Sequence, residues 1–141
     1  MDVGKFRTIL LIKEHENLVN EFYLRLPKKI KKLVDSNHVM IGYSPKSFPD
    51  ENEIAYFIKP NLIEFNCKYW DLILKKDFFI GCLAHELGHF YINNLNPFYR
   101  FILLKKYNSE TLADSFACGF GFEKELKIVN DLRNLKKNSN P

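Results

Sequence analysis

The sequence predicts an α+β fold, and three observations predict it. Apolar residues recur at helical spacing up to about residue 34. Three short runs rich in branched and aromatic residues follow, bounded by proline, asparagine or glycine. Helical spacing then returns from Tyr69 onward. Helices, a small sheet and then helices is the order of elements in an α+β fold.

Each element has its own reason. Leu18, Phe22 and Leu26 set a first helix over about residues 13–25, and Pro27 suits the first position of a short second helix through Val34. Asp35, Ser36 and Asn37 should end it. Val39 to Tyr43, Ile54 to Ile58 and Leu62 to Phe65 read as strands, the last two joined into a hairpin by Lys59, Pro60 and Asn61. Ser44 to Asn52, with Pro45 and Pro49, reads as a loop. Tyr69, Leu72 and Ile73 give one short helical face. Asp77 is placed to cap a helix over residues 78–92, with Ile80, Leu83, Leu87 and Phe90 directed to the core. Asn93, Asn94, Asn96 and Pro97 break that helix, an aromatic-rich one spans Pro97 to Tyr107, and Asn108 or Ser109 caps another from Glu110. Gly119 and Gly121 interrupt the chain before an amphipathic run from Phe122 to Leu135, and Lys136 to Pro141 reads as a frayed tail.

Length and composition bound the function. A chain of 141 residues, 46% apolar and 27% charged, is the size and make-up of one globular domain, expected over residues 1–141. Its longest apolar run, Phe78 to Ala84, falls far short of the roughly 20 residues of a membrane span. Ile9 to Ile12, set among charges, is too short for the apolar part of a signal peptide. No membrane partner is expected, and the chain reads as cytoplasmic. Its net charge of +4 is modest. Lys28, Lys29, Lys31 and Lys32 alternate with Ile30, Leu33 and Val34, as on a surface helix, and no reading motif stands beside them, so nucleic acid is not an expected partner. Cys67, Cys82 and Cys118 have no paired spacing and read as buried thiols in a reducing compartment.

One motif carries chemistry. His85-Glu86-Leu87-Gly88-His89 places two histidines four apart within the helix expected over 78–92. At about 100° per residue, His89 returns to within about 40° of His85, so both imidazoles project from one face and can reach one metal ion. Glu86 lies about 100° round from His85, close enough to contact a water on that metal. The chain's own residue frequencies predict such a match by chance roughly once in a hundred such sequences. The bland alternative is a pair of solvated helix histidines with an ordinary surface acid. Phe79, Ile80, Leu83, Ala84, Leu87 and Phe90 argue against it, because they make the helix apolar nearly all round, and buried polar groups need a partner. Gly88, costly by about 1 kcal/mol within a helix, suggests close approach of another backbone or of a substrate.

A catalytic zinc takes three protein ligands and leaves one position open. His15 and His38 both precede the motif, which disfavours a later histidine as third ligand and leaves the downstream acids Glu110, Asp114, Glu123, Glu125 and Asp131. Glu110 and Asp114 stand four apart at the start of a helix containing Ala113 and Ala117, small enough for close packing. Glu110 then serves as third ligand, and Asp114 hydrogen-bonds the far nitrogen of a ligand histidine. A solvated acidic first turn, favoured by the helix dipole, is the competing reading of the pair.

His85-Glu-Leu-Gly-His89, with Glu110-Thr-Leu-Ala-Asp114 beginning 21 positions after His89, resembles the HExxH plus ExxxD pattern of gluzincin metallopeptidases. The run from Glu110 to Ala117 is most similar to the short ImmA/IrrE-type peptidases and to minimal gluzincins. The resemblance covers roughly Ile63 to Ala117. It implies a zincin-like fold, with a small mixed sheet of about three strands packed on the HExxH helix and a third-ligand helix after it. It also implies Zn2+ on His85, His89 and Glu110, Glu86 as the general base, and Asp114 behind a ligand. The chain departs from the pattern after Ala117, where Gly119-Phe-Gly121 and a charged helix replace an apolar, proline-ended stretch; no sensor domain is expected. The expected activity is metallo-endopeptidase hydrolysis of a protein or peptide substrate. A substrate strand would add to Ile54–Ile58 or Leu62–Phe65. Tyr91, Tyr99, Arg100 and Tyr107, between the motifs, are without assigned chemistry, and the aromatics among them read as core. The alternative from another class is a non-catalytic zinc-stabilised scaffold or protein-binding domain, against which an intact Glu86 speaks.

Overall fold

A computed structural model describes residues 5–44 and 53–139, with side chains through residue 135. Its described elements are β1 (Arg7–Thr8), α1 (Lys13–Arg25), α2 (Lys28–Asn37), β2 (Met40–Tyr43), β3 (Ala55–Ile58), β4 (Leu62–Phe65), a 3-10 turn (Cys67–Tyr69), α3 (Trp70–Ile73), α4 (Lys76–Asn93), α5 (Pro97–Lys106), α6 (Ser109–Gly119) and α7 (Glu123–Ser139). The fold is α+β, with seven helices and a four-stranded mixed sheet among the described residues. The strand order is β1-β2-β4-β3. β1, β2 and β4 run parallel, and β3 closes one edge antiparallel to β4, with Ile58 opposite Leu62.

The sequence expected three strands. β1 is the fourth, a two-residue strand held by Arg7 N–H to Val39 O and Ile9 N–H to Ile41 O, both at 2.9 Å. Two residues carry no alternation for a pattern to reveal. α2 runs three residues beyond the expected end at Val34. Its polar end residues cap it instead of breaking it: Asn37 Nδ2 donates to Leu33 O at 2.8 Å, and His38 turns the chain at φ 52°. Asn61 Nδ2 then donates to the carbonyls of Asn37 and His38. α4 begins at Lys76, so Asp77 lies within its first turn and is not its cap. α7 continues to Ser139 where a frayed tail was expected; Asn140 and Pro141 lie outside the described residues, as does the expected loop after Ser44 up to Asn52. Of the three thiols only Cys82 is buried; Cys67 sits on an exposed turn and Cys118 on the open side of α6, and all three are free.

α4 is the central post. Its apolar side chains leave no polar stripe, and Ile80, Leu83, Leu87 and Phe90 are fully buried as expected. The sheet covers one side, where the Phe65 ring stacks on Phe79 at 4.3 Å and Phe57 meets Phe90 edge-on at 5.9 Å. α6 and α7 cover another, and two glycines let them in. A Cβ on Gly88 would overlap the carbonyl oxygen of Ala113 in α6 and stand 2.9 Å from its Cα. A Cβ on Gly81 would stand 2.5 Å from both the Glu125 carbonyl and Val129 Cγ2 in α7. The expectation that Gly88 marks close backbone approach therefore holds.

Candidate metal centre

α4 and α6 bring the two motifs together. His85 and His89, one turn apart, present their Nε2 atoms 3.2 Å from each other. Glu110, in the first turn of α6, sets one carboxylate oxygen 2.8 Å from His85 Nε2 and the other 3.1 Å from His89 Nε2. Asn108 fixes where α6 starts by accepting from Thr111 N–H at 2.8 Å, which puts Glu110 at the site and Asp114 one turn further in. Asp114 accepts from His85 Nδ1 at 2.6 Å, and Asn130 of α7 donates to its other oxygen at 3.4 Å. Glu86, 4% exposed, has its carboxylate 3.9 Å from His85 Nε2.

The donor set fits a metal ion. With Nδ1–H given to Asp114, a neutral His85 has only a lone pair at Nε2, and it faces a second imidazole nitrogen and a carboxylate. His85 Nε2, His89 Nε2 and a Glu110 oxygen face a common point, where a cation would satisfy all three. One ligand atom from each of the three residues lies within 4.8 Å of the other two, close enough for one ion to reach all three. His85, His89 and Glu110 form the one such cluster among the described residues.

In the metal-free chain a proton takes that role. Burial disfavours a charged His85, but its hydrogen bonds to Asp114 and Glu110 outweigh burial and raise its pKa to about 10. The hydrogen bond from His85, joined by that from His89, holds Glu110 well below the usual carboxylate range. Burial opposes ionisation of Asp114, yet the His85 contact brings it down. Glu86 goes the other way: burial pushes it up to about 7, against the lowering influence of His85, His89 and Arg133. A carboxyl poised near neutrality can take a proton and give it back.

The cluster opens into a cleft of about 640 Å³. Ala55, Tyr56, Phe57 and Lys59 of the β3 side form one wall, Arg100 and Leu104 of α5 another, and Glu86 reaches its surface despite being nearly buried. Of the two strands expected as a rim, β3 is the one at the sheet edge, and β4 is interior. Arg100 gains a position from the structure: its guanidinium donates to Asn93 O at 2.9 Å and lines the cleft. Tyr91 packs on Phe116 and Phe120, as a core aromatic should. Tyr99 and Tyr107 are 52% and 43% exposed, so they are neither core nor cleft, because α5 buries no residue fully. Asn130, behind Asp114, stands 16 residues beyond it on a separate helix, and no spacing in the sequence signals it.

Both His15 and the lysine-rich helix α2 lie away from the site. His15 is fully buried and satisfied, its ring hydrogen-bonded to Tyr43 Oη at 2.5 Å and to Ile73 O at 2.7 Å. In α2, Ile30 and Val34 are buried while Lys28, Lys29 and Lys32 are exposed, the surface helix expected. No helix among the described residues is long and apolar enough to cross a membrane. Compared with protein-family models, with curated proteins and with solved structures, the chain matches none.

Proposed function

We propose that the chain is a zinc-dependent metallopeptidase of zincin-like fold that cleaves peptide bonds in a cytoplasmic protein or peptide substrate. The observation that carries the reading is the convergence of His85 Nε2, His89 Nε2 and a Glu110 oxygen at the floor of an open cleft that the nearly buried Glu86 also lines. The mixed sheet packed against α4, with α6 bringing in the third donor, supports the fold the motif resemblance implies.

His85, His89 and Glu110 would hold the ion, and Zn2+ suits two imidazoles and one carboxylate with a position left open. When bound, it supplies Lewis acidity that activates water and polarises a carbonyl. The chain's own groups do the rest. Asp114 accepts the Nδ1–H of His85 and so fixes the tautomer whose Nε2 lone pair faces the cleft. Glu86 takes the proton of the attacking water and passes it to the leaving amine. The outer edge of β3, pairing only with β4 within the sheet, gives a substrate strand a place to add along the cleft.

A non-catalytic zinc scaffold has no use for Glu86 at the cleft surface, which favours the enzyme. The test is Glu86→Gln, measured for peptide hydrolysis and for zinc content together. Hydrolysis should fall at least about 100-fold, the scale of general-base catalysis, while one equivalent of zinc stays bound. Full activity in the variant would refute the role of Glu86.

A further inference from the structure

α5 turns its apolar face the wrong way for a helix that only supports a fold. Leu103 packs inward on the small cluster of Ile92, Leu112 and Ala113. Roughly opposite, at i, i+3, i+4 and i+7, stand Phe98, Phe101, Ile102 and Lys105. Phe98 is 73% exposed, Phe101 60% and Ile102 47%. From Leu104, which lines the cleft, this apolar surface continues over Phe101 to Phe98, since Leu104 and Phe101 are neighbours at i, i+3. Contiguous apolar surface of this kind marks a contact site.

Charge selects the occupant. Residues 93–109 hold Arg100, Lys105 and Lys106 and no acidic residue. A second copy would bring the same cations against these. The exposed parts of Phe98, Tyr99, Phe101 and Ile102 amount to about 450 Å² at a typical 150–250 Å² per large side chain, the size of patch that marks a contact site on a single chain. Because this surface is continuous with the cleft, what covers it is what enters the cleft.

We propose that α5 is a docking surface for the substrate, and that it selects segments in which large apolar residues stand beside carboxylates. The inference rests on the peptidase reading. The apolar residues would cover Phe98 and Phe101, and the carboxylates would meet Lys105 and Lys106 outside the cleft, since within it Arg100 stands among Glu53, Glu86 and Glu110.

The test is fluorescence anisotropy with zinc-loaded Glu86→Gln protein and three short labelled peptides: one alternating phenylalanine or leucine with glutamate, one with lysine in place of glutamate, one with serine in place of the apolar residues. The first should bind about tenfold or more tighter than either other. Phe98→Ser with Phe101→Ser should abolish the preference. Lys105→Glu with Lys106→Glu, both exposed in the last turn of α5, should reverse the charge preference, with circular dichroism checking that the helix content is kept. Equal binding of the three peptides, or preference unchanged in both variants, would overturn the proposal. So would self-association, or uptake on phosphatidylglycerol-containing vesicles, that is lost in the phenylalanine variant while peptide binding is not. Hydrolysis by the unmodified protein separates the two readings: selective binding without cleavage refutes the peptidase and keeps the surface, whereas cleavage without selectivity refutes the surface alone.

Discussion

His15 and His85 are both buried histidines bonded through both ring nitrogens, and their partners give them opposite charge. His85 faces two carboxylates, so it binds a cation or becomes one. His15 faces a hydroxyl and a carbonyl, stacks on Phe79 at 4.3 Å, and burial lowers its pKa. Its neutral ring donates to Ile73 O through Nε2–H and accepts from Tyr43 at Nδ1, the tautomer that satisfies both partners. A folded-state pKa below the unfolded value of 6.5 means that the stability from this site is complete above about pH 6.5. It is lost as pH falls through the folded value. His85 and Glu86, both raised, act in the opposite sense, losing stability as pH rises, so the comparison is with His15→Gln, which cannot take up a proton. Between pH 6.5 and 5, thermal melts of the unmodified chain should lose more stability than those of the variant, whose plateau is lower. An equal slope in the variant would assign the acid sensitivity to other groups. The pairing of His85 with His89 was legible at this scale because HExxH spacing is a statement about one helix face, and the structure brings Glu110 to the same pair. Charge state was not legible, since it depends on partners as far off as Ile73 and Asp114.

At the scale of elements, the site depends on how near α6 comes to α4. Gly88 sets that distance, because any side chain there meets the Ala113 backbone, which cannot swing away as a flexible side chain could. Gly88→Ala should gain about 0.4–1 kcal/mol from a less flexible unfolded chain. It should lose more, about 1–3 kcal/mol, from overpacking, so the overpacking decides the sign. Glu110 and Asp114 move with α6, and zinc affinity should fall along with stability; a chelator competition titration measures the first and denaturant unfolding the second. Unchanged zinc affinity would show that the helix spacing does not set the site. The elements themselves were legible where a period of 3.6 or 2 ran long enough, as in α1 and β4, or where a long apolar run stood between breakers, as in α4. They were not legible where a local bond decided, as at the end of α2, where Asn37 caps its own helix, or in two-residue β1. α5 misled for a different reason. Its composition is that of a core helix, and composition does not say which way a face turns.

The whole molecule separates core from chemistry. Phe22, Phe65, Phe78, Phe79, Phe90 and Phe122 are fully buried, and Phe22 meets Phe122 at 4.5 Å, joining α1 to the loop before α7. Arg25 adds a clamp over the same gap, with Nη1 2.6 Å from the buried Glu125 carboxylate and the guanidinium 4.4 Å above the Phe122 ring. The candidate metal donors lie at the margin of this core, and the Glu110 side chain is 68% exposed. Removing metal with a chelator should leave a folded chain with a cooperative melt at a lower midpoint, seen by circular dichroism. Collapse of the fold would instead make the ion structural and favour the scaffold reading. The central claim is tested most directly by zinc K-edge absorption on protein loaded with one equivalent of zinc. The account predicts two imidazole nitrogens at 2.0–2.1 Å and one carboxylate oxygen at about 2.0–2.2 Å, with the carboxylate lost in Glu110→Ala. Failure to retain zinc, or an unchanged shell in that variant, would contradict it.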